Sequence, residues 1–277
     1  MITSNIMKRL EDDYNFLSSK YTVLGVFLFG SQNYETAIDT SDIDVKAIVM
    51  PPIEKLLLGK SDVRETHSRS NGELSVFDIA SMHACLKKSN INFLEILFTD
   101  YKIINPAYEN LWNTIITMRE DIAYHNKRAA MECIYGCAMY AFERLFTELP
   151  SNTDRIQHVG YDYKAWANIH RFWLMMNSYK AHYAYAYLLK IQNIDADVYE
   201  HIMSLRTLNY VCTADQIKDA AQVMKNNMKQ FMETYREEQR ASANEFIIQM
   251  IDDVTIDCLK AYINERCYKE RWPVLSC

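Results

Sequence analysis

A chain of 277 residues, 49% apolar and 24% charged, can bury a full core and reads as one long domain or two smaller ones. It has no apolar run as long as a membrane span and no signal-type opening segment, and its seven cysteines include no CxxC pair. Those features predict reduced thiols in the cytoplasm and no membrane partner. A formal net charge of −6 speaks against broad binding to duplex DNA, which relies on many Lys and Arg contacts to phosphate.

Residues 3–20 carry apolar side chains at Ile6, Leu10, Tyr14 and Leu17, the spacing of a helix, with Thr3 or Ser4 as its cap. Lys8, Arg9, Glu11, Asp12 and Asp13 then form a solvated face. Two apolar runs, Val23–Phe29 and Val45–Val49, read as buried strands bounded by turn formers. Between them stand Gly30-Ser31-Gln32-Asn33 and Ser41-Asp42-Ile43-Asp44. Gly30 permits close approach of a ligand, and the freed backbone N–H groups and the Ser31 hydroxyl suit a phosphate. The second strand opens with Asp-x-Asp, so Asp42 and Asp44 project to one side, where they repel each other unless a cation such as Mg²⁺ lies between them.

Pro51-Pro52 ends that strand, and 53–70 reads as a short helix near Ile53–Leu58 followed by a loop that includes His67. Asn71-Gly72 is a turn signal opening a third strand, Glu73–Ile79. Glu73 and Asp78 both qualify as a third carboxylate, but alternation puts them on opposite faces of the strand. A helix from Ile79, a polar break at Lys87–Asn92 and the run Phe93–Phe98 come next, with Glu95 assigned a structural role. Tyr101–Pro106 looks extended and Tyr108–Arg119 helical.

From about residue 120 the pattern is helical throughout, over Asn126–Phe146, Tyr163–Leu189, Ala214–Tyr235 and Glu245–Cys267, with Pro150–Asp154 as a linker. Met139, Tyr140, Tyr183, Tyr185 and Tyr187 read as core, as do Cys133 and Cys137, four apart. Lys164, Asn168 and Arg171 share one helix face, and a Lys and an Arg so placed can bind a triphosphate; the alternative is an amphipathic helix with solvated charges. Asp162 and Thr213 are N-caps, the latter with Gln216 three residues on; Arg206 contacts substrate or solvent, and Arg266–Arg271 is a solvated helix end.

Strand, Gly-Ser, polar linker and Asp-x-Asp in that order resemble the DNA polymerase beta superfamily of nucleotidyltransferases. More narrowly, GSQNY…TSDIDVKAIVMPP is similar to predicted nucleotidyltransferases of phages and bacteria. SNINFLEILF resembles the GNPNxLELLF-like segment of that group, and the stretch from Gly160 to Arg171 its GYDxKxAxHxxRLL segment, with Asn168 where the group has histidine. The resemblance implies an α/β (α+β) fold: a small mixed sheet flanked by helices over 1–120, then an α-helical bundle domain over 121–277. It implies transfer of a nucleoside monophosphate from an NTP, ATP included, to a hydroxyl with release of pyrophosphate. Asp42, Asp44 and Glu73 would be catalytic and hold Mg²⁺ or Mn²⁺; alignment with the group favours Glu73 over Asp78. Gly30, Ser31, Gln32, Asn33, Lys164, Asn168 and Arg171 would bind the nucleotide. An RNA 3′ end, tRNA included, is the favoured acceptor, and host cytoplasm the location if the chain is phage-encoded. A protein or small-molecule acceptor, or a noncatalytic nucleotide- or RNA-binding module, are the alternatives.

Overall fold

A computed structural model describes residues 2–60, 62–208, 212–239 and 242–269, with side chains described over 4–266 of these. Helix α1 (Ile2–Ser18) precedes β1 (Thr22–Phe29), β2 (Asp44–Met50), α2 (Ile53–Leu57), β3 (Arg64–Arg69), β4 (Gly72–Asp78), α3 (Ile79–Leu86), α4 (Ile91–Leu94) and β5 (Lys102–Ile104). The rest is helical: α5 (Glu109–Thr117), α6 (Arg119–Tyr124), α7 (Lys127–Arg144), α8 (Thr153–Val159), α9 (Tyr163–Lys180), α10 (Tyr185–Leu189), α11 (Ala196–Arg206), α12 (Ala214–Glu238) and α13 (Glu245–Lys269). Among the described residues no helix is long and apolar enough to cross a membrane.

The five strands form one mixed sheet in the order β3-β4-β2-β1-β5, the small sheet expected. β1 runs antiparallel to β2 and β5, β4 parallel to β2 and antiparallel to β3. The apolar runs of β1 and β2 are buried on both faces, which is why they read as continuous rather than alternating. Residues 64–69, expected as loop, are instead strand β3. Its sequence Arg-Glu-Thr-His-Ser-Arg has no apolar residue because it is an edge strand, alternating between exposed and half-buried positions. The hairpin turn is Ser70-Asn71, with Arg69 paired to Gly72.

The chain divides into two compact units. The first comprises residues to Gln32, 42–125 and the described residues from Ala243 on; the second comprises 33–41 and 126–242. Where 121–277 was expected as one helical domain, the first unit runs on to His125 and takes in α13. Its Ile247, Ile251, Cys258 and Tyr262 make a buried stripe, and the helix packs on α3 and α5. Asp252 of α13 pairs with Lys87 at 2.8 Å, Tyr262 donates to the Pro51 carbonyl, and Arg266 donates to the Thr22 hydroxyl at 3.0 Å. Arg266 is therefore docked rather than solvated, while residues 270 and 271 of the expected basic end lie outside the described residues.

The second unit is a helical bundle in which α9 packs on α7 and α11, and α7 on α12. Asp162 caps α9, accepting from the Lys164 and Ala165 N–H groups, and Thr213 with Gln216 forms the capping box of α12. The expected helix Tyr163–Leu189 breaks after Lys180, where His182 takes a φ of 62°, and resumes as α10. Of the tyrosines assigned to the core, Tyr185 is fully buried, but Tyr140, Tyr183 and Tyr187 are exposed. Tyr183 lies in the break between the helices, and Tyr187 sits about 200° around the axis of α10 from Tyr185, two residues before it. Asn209, expected in the turn after α11, lies outside the described residues.

Candidate active site

Asp44 is the first residue of β2, opposite Phe29, the last of β1. Beyond that pair the strands part. Gly30, with a φ of 77°, turns the chain into a single 3-10 turn, Gly30–Gln32, and the Ile43 N–H bonds instead to the Asn71 carbonyl at 3.3 Å. Asp42 therefore precedes the strand rather than opening it, and it is exposed. β4 aligns Leu74 with Val45, which sets Glu73 beside Asp44 on the neighbouring strand. The Glu73 N–H donates to Asp44 Oδ1 at 3.2 Å, and the Glu73 side chain is exposed. Asp78 pairs with Val49 at the other end of β4, roughly 16 Å further along at the usual rise per residue. It is fully buried, with Oδ1 capping α3 through the Ser81 N–H and Oδ2 accepting from the Val63 N–H. The register thus brings Glu73, and not Asp78, to the level of Asp44.

Burial pushes the pKa of Asp44 above the usual carboxylate range, opposed by the Glu73 N–H; the charges of Asp42 and Glu73 raise it further and that of Arg9 lowers it. Two glycines leave room around this carboxylate. A Cβ on Gly30 would lie 3.0 Å from Asp44 Oδ2, and one on Gly72 would lie 3.0 Å from Oδ1 and 2.6 Å from the Ile43 carbonyl oxygen. With a φ of 99° at Gly72 as well, Gly72→Ala is expected to cost about 1–3 kcal/mol of stability, read as a lowered urea midpoint at unchanged m-value. A midpoint equal to that of the parent would show that the turn can relax.

Charged groups behind the carboxylates were not apparent as such from the sequence. Arg9 and Asp13, assigned to a solvated face, are buried: Arg9 Nε pairs with Asp13 Oδ2 at 2.6 Å, and Asp13 Oδ1 with Arg69 Nε at 2.8 Å. A guanidinium nitrogen of Arg9 donates to the Asn71 carbonyl, bracing the turn that presents Glu73. Asp13 falls seven residues after Ile6 and four before Leu17, on the buried stripe of α1, and that spacing was the signal available. Lys46, two residues after Asp44 on the same face of β2, is buried against Glu95, Nζ to Oε1 at 2.9 Å. It also donates to the Asn92 carbonyl and lies over the Phe29 ring at 4.5 Å, which gives Glu95 its structural role.

The residues expected to bind nucleotide divide between the units. Gly30, Ser31 and Gln32 belong to the first; Asn33, Lys164, Asn168 and Arg171 belong to the second. On α9, Lys164 and Asn168 are half-buried and Arg171 is buried, with its guanidinium 4.3 Å from the Tyr34 ring centroid. His170, on the same helix, meets the rings of Trp166 and His201 edge-on, at 4.6 and 5.0 Å. Burial, and then the nearby His201, push its pKa down to about 4, so it is neutral at pH 7. From an unfolded value of 6.5, stability is therefore lost as pH falls through 6.5 toward 4, by on the order of 3 kcal/mol in all. In His170→Phe that part of the acid dependence should vanish from urea midpoints measured between pH 7 and 4. An unchanged slope would assign the dependence to other groups.

No protein-family model matches the chain, and no curated protein matches it. Among solved structures it is similar to a nucleotidyltransferase-like protein from Exiguobacterium sibiricum 255-15. The match has 10% identity and a TM-score of 0.33, over 83% of this chain and 75% of that one.

Among the described residues no group of three or more His, Cys, Asp or Glu side chains is placed to hold a metal ion. Magnesium, however, usually takes one or two carboxylates and completes its shell with water and phosphate oxygens. Asp44, flanked by the charges of Asp42 and Glu73 and cleared on both sides by glycine, offers that donor set.

Proposed function

We propose that this chain is a metal-dependent nucleotidyltransferase that moves a nucleoside monophosphate from an NTP to a hydroxyl and releases pyrophosphate. The observation that carries the reading is the placing of Asp44 and Glu73 side by side at the starts of two parallel strands, with the charge of Asp42 reaching Asp44, beside a glycine-led turn that leaves room around Asp44. Repulsion among carboxylates is a standing cost unless the site holds cations during its working cycle.

In this reading Asp42, Asp44 and Glu73 hold Mg²⁺ or Mn²⁺, and Glu73 also helps to take the proton of the attacking hydroxyl. The metal, when bound, supplies positive charge that neutralises phosphate oxygens and eases ionisation of the acceptor. Gly30, Ser31 and Gln32 offer backbone N–H groups and a hydroxyl to the phosphates. Asn33, Lys164, Asn168 and Arg171 are assigned to nucleotide binding from the helical unit. Phosphoryl transfer of this kind depends on positioning and electrostatic stabilisation, and these residues supply both. An RNA 3′ end, tRNA included, is the acceptor favoured by the likeness of GSQNY…TSDIDVKAIVMPP to phage-type sequences.

The test is incubation with each α-³²P-labelled NTP and Mg²⁺ or Mn²⁺ against total RNA and cell lysate, beside Asp42→Ala/Asp44→Ala. Label reaching RNA, protein or a small molecule only with the aspartates intact is the expected outcome. Transfer that persists in the double variant would refute the reading. NTP bound without any transfer would leave a nucleotide-binding module.

A further inference from the structure

We propose that Arg171 and Arg206 form an anion site within the helical unit that takes the polyphosphate of a nucleotide. Arg171 lies in the middle of α9 and Arg206 is the last residue of α11, the helix that packs on α9. Their residues are 7% and 6% exposed, and the Nε–H of each is buried without a hydrogen-bond partner. Among the described residues neither arginine forms an ion pair, whereas nearby Arg155 is held by Asp162, Nε to Oδ1 at 2.8 Å. The Arg171 guanidinium lies over the rings of Tyr34 and Phe172, 4.3 and 4.5 Å from their centroids.

An arginine in the last turn of a helix ordinarily spends its N–H groups on the terminal carbonyls. The orphaned Nε–H of Arg206 departs from that habit. Burial, and next the charge of Arg171, lower the pKa of Arg206, so the two guanidinium groups feel each other with no carboxylate to compensate them. Buried like charges and unmet donors are costly, and both costs vanish when a multivalent anion with several acceptor oxygens is bound. Guanidinium forks suit phosphate oxygens. The choice of polyphosphate over another anion rests on the nucleotidyl-transfer reading; the arginine pair does not.

Calorimetric titration of the whole protein in EDTA with inorganic pyrophosphate, tripolyphosphate, ATP and adenosine tests the site without the metal. Pyrophosphate and tripolyphosphate are expected to bind and to displace ATP, and adenosine to give no heat. Arg206→Gln and Arg171→Gln should each weaken pyrophosphate binding by ~10-fold or more, with Arg206→Lys intermediate because it keeps the charge and loses the fork. In anion-free buffer Arg206→Gln should melt no lower than the parent, since it removes a repulsion, and pyrophosphate should raise the melting temperature of the parent alone. Absence of pyrophosphate binding by the parent, unweakened binding by Arg206→Gln, or a lower melting temperature of that variant without anion would each overturn the proposal. An Asp44→Asn protein separates the two readings: it should bind pyrophosphate like the parent while transferring nothing. If the parent binds pyrophosphate yet never transfers, the arginine site stands and the transferase reading falls.

Discussion

Asp44→Asn is expected to abolish NTP-dependent transfer while making the metal-free protein more stable at neutral pH. The loss of turnover should be ~10²-fold or more, the scale on which single electrostatic groups at phosphoryl or acyl centres act. The gain in stability follows from the raised pKa. Burial, reinforced by Asp42 and Glu73, makes the ionised form of Asp44 costlier in the folded chain than in the unfolded one, where the value is near 3.8. Below that value the group is protonated in both states and costs nothing. As pH rises through 3.8 and then through the higher native value, the unfolded state ionises first and stability is lost. The advantage of Asp44→Asn over the parent in EDTA should therefore be nil in acid and grow toward neutrality. Adding Mg²⁺ should reverse the ranking, because a cation that binds only the folded parent stabilises it by mass action. Thermal melts of both proteins across pH, with EDTA and with Mg²⁺, read all of this. An Asp44→Asn protein less stable than the parent in EDTA at pH 7 would mean that Asp44 serves the fold and not the chemistry.

Glu95→Ala should cost ~3–5 kcal/mol, enough to lower the melting temperature by on the order of 10 °C. The side chains of Lys46 and Glu95 are only 5% and 2% exposed, so removing the carboxylate strands a buried ammonium. The rings of Phe29 and Phe93, 4.5 and 5.2 Å from Nζ, replace little of that lost charge. Lys46→Met/Glu95→Leu should recover most of the loss, since an apolar pair of similar volume needs no compensation. Urea midpoints for the two single variants and the double variant close the cycle. If Glu95→Ala falls within ~1 kcal/mol of the parent, water has replaced the carboxylate and the pair is not a dry one.

Local chemistry was what the sequence displayed best. Gly30 and Asp44 are near each other because a two-strand unit joins them, and their residue types announce the turn and the charge. Register sets Glu73, not Asp78, beside Asp44, and the Asn71-Gly72 turn signal lies one residue from the turn that opens β4. What stayed hidden depended on partners far along the chain. β3 lacks apolar residues because an edge strand need not bury any, so periodicity had nothing to register. The stripe on α13 announces a buried face but not whether that face meets the sheet-bearing unit or the helices before it. Arg9 and Asp13 looked solvated because charge outweighed position, although their place on α1 already pointed inward. The sequence left substrate and solvent equally open for Arg206. Its meaning lies in burial beside Arg171, which only the packing of α11 on α9 creates.

The route of the chain sets a timetable for synthesis. The sheet and its carboxylates are complete by Ile104, but α13, which packs on α3 and α5, is encoded after the whole stretch 126–242. At ~5–20 residues per second a ribosome needs on the order of 10 s to pass that stretch. Throughout that interval the nascent first unit lacks the helix that finishes it, and the side of α3 and α5 that α13 will cover is open to chaperones or to neighbouring chains. Asp42, Asp44 and Glu73 are thus among the first features made, while the unit that carries them is among the last to be sealed.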